Sequence, residues 1–364
     1  MSNLPVVSIR PVKLDIYRTA IPMRSFEHAA AARDSAEAIV VRLELSDGSS
    51  GWGETLPRRY VTGETIESVP SDIEKLFRNH IEASGATAAA CALDLSRTDA
   101  FAKSEGKSLG GPIRPGVRVS GVLGSSDPDR TGKRLRMMRV FGLRNFKLKL
   151  GFGDETDTEN LRIVQKQIGK AIQTGKCTLR VDANGGWTAD ETPERIGALK
   201  PFGVCVVEQP VFGPPETLIE LAQRCDLPLM ADESLLKIED ARILLKEPHR
   251  LWWNIRISKN GGLSPAGCLC SLADKYGVPY TLGCMVGESG ILSAAQRSLL
   301  SNPVNPRFVE GNYGRFLLSD DLTKRSLRFG YGGRLKPIRG PGLGVEVDSK
   351  KIARYGTLIK TLHA

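Results

Sequence analysis

The chain has 364 residues, of which 41% are hydrophobic, 25% charged and 6% aromatic, a composition typical of a folded globular protein. This composition excludes a fibrous or disordered protein, and no apolar run approaches the ~18 residues that a membrane-spanning helix needs. The formal net charge is +10, but the basic residues are spread along the chain, so we expect no nucleic-acid partner. Because the first residues lack the basic stretch and apolar core of a secretory signal, we expect a cytoplasmic protein with no membrane partner.

The densest basic cluster lies within residues 133–139, where the charged side chains have helical spacing. We interpret it as the solvated face of a helix. The seven cysteines show no CxxC pair, so we expect neither a disulfide framework nor a zinc site.

The N-terminal part of the chain predicts an α+β domain. Alternating apolar and polar residues at 6–17 and 38–45, followed by a turn and the segment 51–54, predict a three-stranded antiparallel sheet. The period becomes helical between residues 65 and 107. We assign residues 1–114 to this domain and expect the Gly- and Pro-rich residues 330–364 to return to it, with a strand at 344–347.

Residues 115–329 predict a second domain, in which short apolar strands alternate with amphipathic stretches of helix length. The eight predicted strands are 117–123, 145–150, 178–182, 203–208, 228–232, 252–257, 280–283 and 307–310. This number and spacing predict an α/β fold of the (β/α)₈ TIM-barrel type. An open doubly wound sheet is the alternative, but no GxGxxG motif follows the first strand.

Charged residues at the C-terminal ends of barrel strands are the candidates for chemistry. Lys147 and Lys149 alternate with an apolar residue, so both point to the same side of the second strand. The next three strands end in Asp182, Glu208 and Asp232, which can converge because neighbouring strands lie ~4.8 Å apart. Three converging carboxylates predict a hard cation, Mg²⁺ first and Mn²⁺ next. The alternative, three helix N-caps, explains neither Glu208 nor the paired lysines.

These motifs together resemble the enolase superfamily, in its mandelate racemase and muconate lactonizing enzyme (muconate cycloisomerase) subgroup. The motifs are Lys147-Leu148-Lys149, Asp182-Ala183-Asn184, Glu208-Gln209-Pro210 and Asp232-Glu233-Ser234, whose acids are 26 and 24 positions apart. Gly51-Trp52-Gly53-Glu54 and Thr62-Gly63-Glu64 are similar to the α+β capping domain of that family, and Gly283-Cys284-Met285 is similar to its seventh strand end. The resemblance implies Mg²⁺ held by Asp182, Glu208 and Asp232, and abstraction of a proton next to a carboxylate to give an enediolate.

A lysine acts as a base only when it is neutral, and positive neighbours disfavour its charged form. Lys149 is therefore the candidate base, and Lys147 is expected to touch the substrate carboxylate. Where the subgroup has a second lysine, at the end of the sixth strand, alignment on the double glycine at 261–262 places Arg256, and Lys259 lies three residues further on. Because arginine stays protonated near neutral pH, this departure predicts one-base chemistry, with Arg256 supplying fixed positive charge.

The predicted function is therefore a muconate-type cycloisomerase or a syn-eliminating dehydratase, with a small carboxylate as substrate. A dipeptide or amino-acid epimerase and a non-catalytic anion-binding paralogue are the alternatives. Barrels of this kind often associate, so we also expect a homo-oligomer.

Several polar residues are expected to contact the substrate or the rim of the site. Residues 21–34 are interpreted as a mobile lid that contains His28. In the subgroup's dipeptide epimerases an Asp-x-Asp pair after the eighth strand holds an ammonium group, and its counterpart here, Glu310-Gly311-Asn312, has half that negative charge. The full set of predicted substrate contacts is Arg58, Arg59, Asn184, Lys259, Glu288, Glu310 and Asn312.

Overall fold

The computed structural model describes residues 8–28, 31–79, 82 and 85–364, without the side chains of 25–33. In these ranges the chain forms two sheets. The strands of the first are β1 (Pro11–His28), β2 (Ala31–Leu45), β3 (Ser50–Thr55) and β12 (Gly356–His363), in the order β12-β1-β2-β3 with antiparallel pairing. Its helices are α1 (Arg59–Thr62), α2 (Val69–Phe77) and α3 (Thr87–Ser104).

The second sheet is the predicted barrel, with eight parallel strands in sequential order. Its strands are β4 (Gly121–Leu123), β5 (Asn145–Lys149), β6 (Thr178–Asp182), β7 (Val204–Glu208), β8 (Leu229–Ala231), β9 (Leu251–Ile255), β10 (Tyr280–Leu282) and β11 (Phe308–Val309). The helices that follow them are α4 (Pro128–Val140), α5 (Asp154–Gln173), α6 (Thr192–Leu199), α7 (Pro215–Arg224), α8 (Ile238–Leu244), α9 (Leu263–Tyr276) and α10 (Gly290–Leu300), with α11 (Ser349–Tyr355) near the end of the chain. Ser120 N donates to Val309 O at 2.8 Å, which joins the first strand segment to the last. The predicted fold class is confirmed.

Two predictions for the first sheet are wrong. The sheet has four strands because β12 pairs with β1, whereas residues 344–347 form no strand and Val347 makes only an isolated bridge to Thr323. Residues 21–28 and 31–34 of the predicted lid belong to β1 and β2, which pair as far as His28 and Ala31, and the lid role stays a prediction. Residues 29 and 30 and the side chain of His28 lie outside the described residues. The division of the chain at residues 114 and 329 stays a prediction.

The packing of the cap explains the Gly51-Trp52-Gly53-Glu54 motif. Helix α3 lies so close to β3 that a Cβ atom at Gly51 or Gly53 would collide with the backbone of Ser96 or Ala92. Glycine is therefore required at both positions for this close approach.

The last residue of the motif fixes the cap to the barrel. Glu54 accepts hydrogen bonds from Ser289 N (2.9 Å), Ser289 Oγ (2.7 Å) and Leu292 N (3.1 Å) at the start of α10. Leu56 N donates to Ser258 Oγ, in the loop after β9, at 2.9 Å. These bonds hold the cap above the C-terminal ends of the barrel strands. No helix among the described residues is long and apolar enough to cross a membrane.

Candidate active site

Strand register brings the predicted ionic residues together. Lys149 pairs with Asp182, and Asp182 pairs with Glu208, across three adjacent strands, while Asp232 directly follows β8. All three carboxylate side chains are fully buried. Buried carboxylates on adjacent strands need positive partners, because like charges that are shielded from solvent repel strongly.

Lys147 is one of these partners. Its Nζ lies 3.1 Å from both carboxylate oxygens of Glu208, 2.9 Å from Glu310 Oε2 and 3.5 Å from Asp182 Oδ2. Burial lowers the pKa of Lys147, but the carboxylates of Glu208, Glu310 and Asp182 outweigh it, so the pKa is raised. Lys147 is therefore a fixed positive charge at the centre of the site.

Lys149 has a different environment. Its Nζ donates to Asn184 Oδ1 at 3.0 Å and lies 3.5 Å from Asp182 Oδ2, and its side chain is 12% exposed. Burial raises the pKa of Asp182, but Lys149, Lys147 and Arg256 outweigh burial and lower it to about 2. Asn184 adopts a left-handed backbone conformation (φ 46°), and its amide N donates to Asp182 Oδ1 at 3.0 Å. A hydrogen bond to a neutral amide leaves Lys149 less restrained than Lys147.

Arg256 follows β9 and lies against the carboxylates. Its guanidinium contacts the Asp232 carboxylate and lies 3.5 Å from Glu208 Oε1, and Nη1 lies 3.6 Å from Met285 Sδ. Lys259 is fully buried and donates to Asp232 O (2.6 Å), Asp232 Oδ1 (2.9 Å) and Asn254 O (2.8 Å). Three acceptors use all three protons of an ammonium group, so Lys259 holds the strand end in place and has no proton left for a substrate.

Glu310 and Asn312 are also engaged within the protein. Glu310 Oε1 lies 3.0 Å from Arg180 Nη2, and although burial raises the pKa of Glu310, Lys147 and Arg180 outweigh burial and lower it. Asn312 accepts from Arg297 Nε at 2.7 Å and donates to Gln296 Oε1 at 2.6 Å. Neither side chain is free to bind an ammonium group.

The two cap arginines that were predicted to contact the substrate, Arg58 and Arg59, do not line the cavity. Arg58 is buried and donates to Pro57 O at 2.7 Å and Glu37 O at 3.2 Å, and Arg59 is exposed. Glu288 does reach the site, where its Oε1 accepts from Met285 N at 2.7 Å. Burial raises the pKa of Glu288 to about 8, with a further contribution from Glu54.

A cavity of about 350 Å³ opens beside these residues, within the usual range for a small-molecule site. Lys147, Lys149, Arg256, Glu288 and Glu310 line one side of it. Residues of α4 and of the segment 311–329 line the rest of it. The ionic residues of the lining lie towards the C-terminal end of the barrel, where the chemistry of this fold is found.

Sequence reasoning missed three polar residues of the site. Arg180 is fully buried, lies 4.2 Å from the centre of the Phe308 ring and donates to Thr281 Oγ1 at 3.1 Å. Asn254 Nδ2 donates to Glu208 Oε1 at 2.7 Å, and both carboxylate oxygens of Glu233 are buried without a hydrogen-bond partner. A signal was available for Arg180, since it lies two residues before Asp182 on one strand and so shares its side.

The carboxylates suit a divalent cation by their chemistry. Three buried side chains offer oxygen donors only, and Asp182 Oδ2 is buried with no hydrogen-bond donor. Oxygen ligands of this type favour a hard ion. Lys147, Lys149 and Arg256 neutralise the group in this arrangement, and no three metal-binding side chains of the described ranges lie close enough together to hold an ion as they stand.

Comparisons with known proteins agree with this geometry. A family model described as "Enolase C-terminal domain-like" matches residues 130–351, more than half of the chain. An N-succinyl-L-Arg/Lys racemase from Bacillus cereus is 28% identical over 78% of this chain and 81% of its own length. The crystal structure of that racemase has a TM-score of 0.82 at 25% identity and covers 98% of this chain and 100% of its own.

Other relatives carry different isomerase activities. An L-Ala-D/L-Glu epimerase from Bacillus subtilis is 27% identical over 92% of this chain and 96% of its own length. Muconate cycloisomerase 1 from Acinetobacter baylyi is 27% identical over 86% of this chain and 90% of its own length. The chain is therefore an enzyme of the enolase superfamily, related to its muconate cycloisomerases, racemases and epimerases.

Proposed function

We propose that this enzyme removes a proton from the carbon next to a substrate carboxylate, with Lys149 as the base. The observation that carries the proposal is the contrast among three lysines. Lys147 lies among three carboxylates and Lys259 is held by three acceptors, whereas Lys149 lines the cavity, donates to one neutral amide and has one carboxylate, that of Asp182, 3.5 Å away. A base needs access to the substrate and few bonds to the protein, and Lys149 best meets both conditions.

We propose Mg²⁺ as the cofactor, replaceable by Mn²⁺, with Asp182, Glu208 and Asp232 as its ligands. When bound, the ion supplies Lewis-acid stabilisation of the negative charge that develops on the substrate. Calorimetric titration with Mg²⁺ tests the assignment without measuring activity. Glu208→Ala should weaken binding strongly, and an equal affinity in the parent and the variant would show that the ligands are wrong.

The arrangement supports one-base chemistry. As the carbon–hydrogen bond breaks, the proton passes to Lys149 Nζ and the electron pair moves towards the carboxylate. Lys147 and Arg256 keep their protons and supply fixed positive charge beside it. The electron pair can then return to expel a group from the neighbouring carbon, or to open a lactone in a cycloisomerisation, without a second base.

Epimerisation is the second candidate, and the racemase and epimerase relatives favour it as much as the cycloisomerase favours the first. An epimerase must deliver a proton to the opposite face of the carbon, and arginine is a poor donor near neutral pH. Glu288 is the carboxyl group with a pKa raised to about 8 that lines the same cavity. In an epimerase, Glu288 would have to donate the proton in place of the subgroup's second lysine, whose position is occupied by Arg256.

Solvent-deuterium exchange into a panel of carboxylic acids, with Mg²⁺ present, tests the function. The parent should exchange the proton next to the carboxylate, Lys149→Ala should not, and Lys166→Ala, on the exposed side of α5, should behave like the parent. Exchange by Lys149→Ala at the parent rate would refute the proposal. Exchange with inversion, removed by Glu288→Gln, would favour the epimerase.

A further inference from the structure

The cavity has two unlike sides, and the apolar side has no part in the proton transfer proposed above. It is formed by Met137, Met138 and Phe141 at the end of α4 and by Phe316, Leu317 and Phe329 in the segment after β11. Met137 is 65% exposed and Phe316 is 41% exposed. Large apolar side chains that line a cavity and stay exposed are a common mark of a ligand site.

The apolar side is held together by ring contacts. Phe316 and Phe329 have ring centres 5.1 Å apart, and Phe141 lies 5.8 Å and 5.9 Å from these two rings. Tyr313 packs edge-on against Phe329 at 5.5 Å. Aromatic contacts of this geometry stabilise a fixed surface, so an apolar ligand would meet a preformed wall.

The charged groups around the cavity disfavour one kind of ligand. Glu310 is paired with Lys147 and Arg180, and Glu288 Oε1 accepts from Met285 N. Among the described residues that line the cavity, Glu310 is therefore not available to a cationic substituent, and Glu288 offers it at most one carboxylate oxygen. The remaining charged groups of the lining are all basic: Arg24, Arg134, Lys147, Lys149 and Arg256.

We propose that the substrate is an acid with a bulky apolar arm, aliphatic or aromatic, whose carboxylate lies at the ionic side while the arm packs against the Phe141–Phe316–Phe329 wall. The inference rests on the proposed function for the reaction, but its binding part stands on the cavity alone. Among the described residues that line the cavity, basic side chains predominate, so a cationic arm is disfavoured, whereas Arg24 and Arg134 do not exclude a second carboxylate. An apolar arm that packs against the wall removes apolar surface of both the arm and the wall from water, which favours binding.

Calorimetric binding of four acids with one common head group tests the proposal. In the presence of Mg²⁺, N-acetyl-L-phenylalanine and N-acetyl-L-leucine should bind the parent about 10-fold more tightly than Nα-acetyl-L-arginine and Nα-acetyl-L-lysine. Met137→Glu should remove this preference and improve the relative affinity for the arginine compound. Val140→Glu is the matched control, because Val140 is 75% exposed on the same helix and does not line the cavity.

Equal affinities for the four acids, tighter binding of the charged ones, or no binding of any would overturn the inference. So would a preference that Met137→Glu leaves unchanged. Failure of the proposed function has a different signature: the apolar acids would bind preferentially but no acid would exchange its proton with solvent.

Discussion

The two sides of the cavity are built in different ways. The ionic side consists of residues at strand ends, and the register of the parallel sheet determines which charges meet, as in the pairing of Lys149 with Asp182 and of Asp182 with Glu208. The apolar side consists of the end of one helix, a single 3-10 turn that contains Phe316, and an irregular segment near Phe329. The difference fits the division of labour proposed above, in which the strand ends carry the chemistry and the apolar wall selects the substrate.

The largest expected effect is on the ionic side and concerns stability. Lys259→Met should lower the free energy of unfolding by about 3–5 kcal/mol, because it removes a buried cation bonded to Asp232 and to two backbone oxygens. Denaturant unfolding of the parent and the variant measures this change in free energy. Lys275→Met, at an exposed lysine of α9, should change the free energy by less than about 0.5 kcal/mol. A loss as small as that of the control would mean that the three bonds of Lys259 do not stabilise the strand end.

The next effect is on catalysis. Arg256→Met should reduce kcat by on the order of 10², the scale of one preorganised stabilising group, and Arg256→Lys should keep part of the activity because it keeps the charge. Steady-state kinetics on an acid that the parent turns over measures both. Equal exchange rates on both faces of a stereocentre in the parent would contradict the electrostatic role and favour an epimerase.

A smaller effect links the ionic side to pH. Burial raises the pKa of Glu288 from 4.5 to about 8, so the folded protein binds a proton that the unfolded chain has released above pH 4.5. Its contribution to stability is complete below pH 4.5 and declines as the pH rises towards 8. The parent should therefore lose about 2 kcal/mol between pH 6 and pH 8 relative to Glu288→Gln, measured by denaturant unfolding at each pH. Parallel pH profiles would mean that Glu288 is already ionised at pH 6.

The two sides also differ in how far the sequence predicts them. The eight strands and the Asp182, Glu208 and Asp232 group were predictable because strand alternation and sequential order determine both position and direction. Where a side chain has several acceptors within reach, sequence spacing does not decide among them. Lys259 was expected to contact the substrate, and it is fully buried and donates to Asp232 Oδ1 and Asn254 O.

The apolar wall was not predictable for a different reason. The basic side chains of residues 133–139 were interpreted as a solvated helix face, and Met137 and Met138, which lie between them in the sequence, line the cavity. Helical spacing shows that two residues share a face, yet it does not show what that face meets. Phe316 lies in a 3-10 helix of three residues and Phe329 in irregular structure, and neither segment is long enough to show a period that would place its ring.

The smallest expected effect is on the apolar side and separates it from the ionic one. Phe316→Ala should raise the KM or Kd for acids with an apolar arm by about 5- to 10-fold, since one ring face is lost, and should leave kcat within about twofold. Because Phe316 is 41% exposed, its removal should cost less than about 1 kcal/mol of stability. Phe212→Ala is the control, since that ring is 56% exposed and does not line the cavity. A fall in kcat with an unchanged KM would mean that the wall acts on the reacting carbon, and the separation into a chemical side and a selective side would then be wrong.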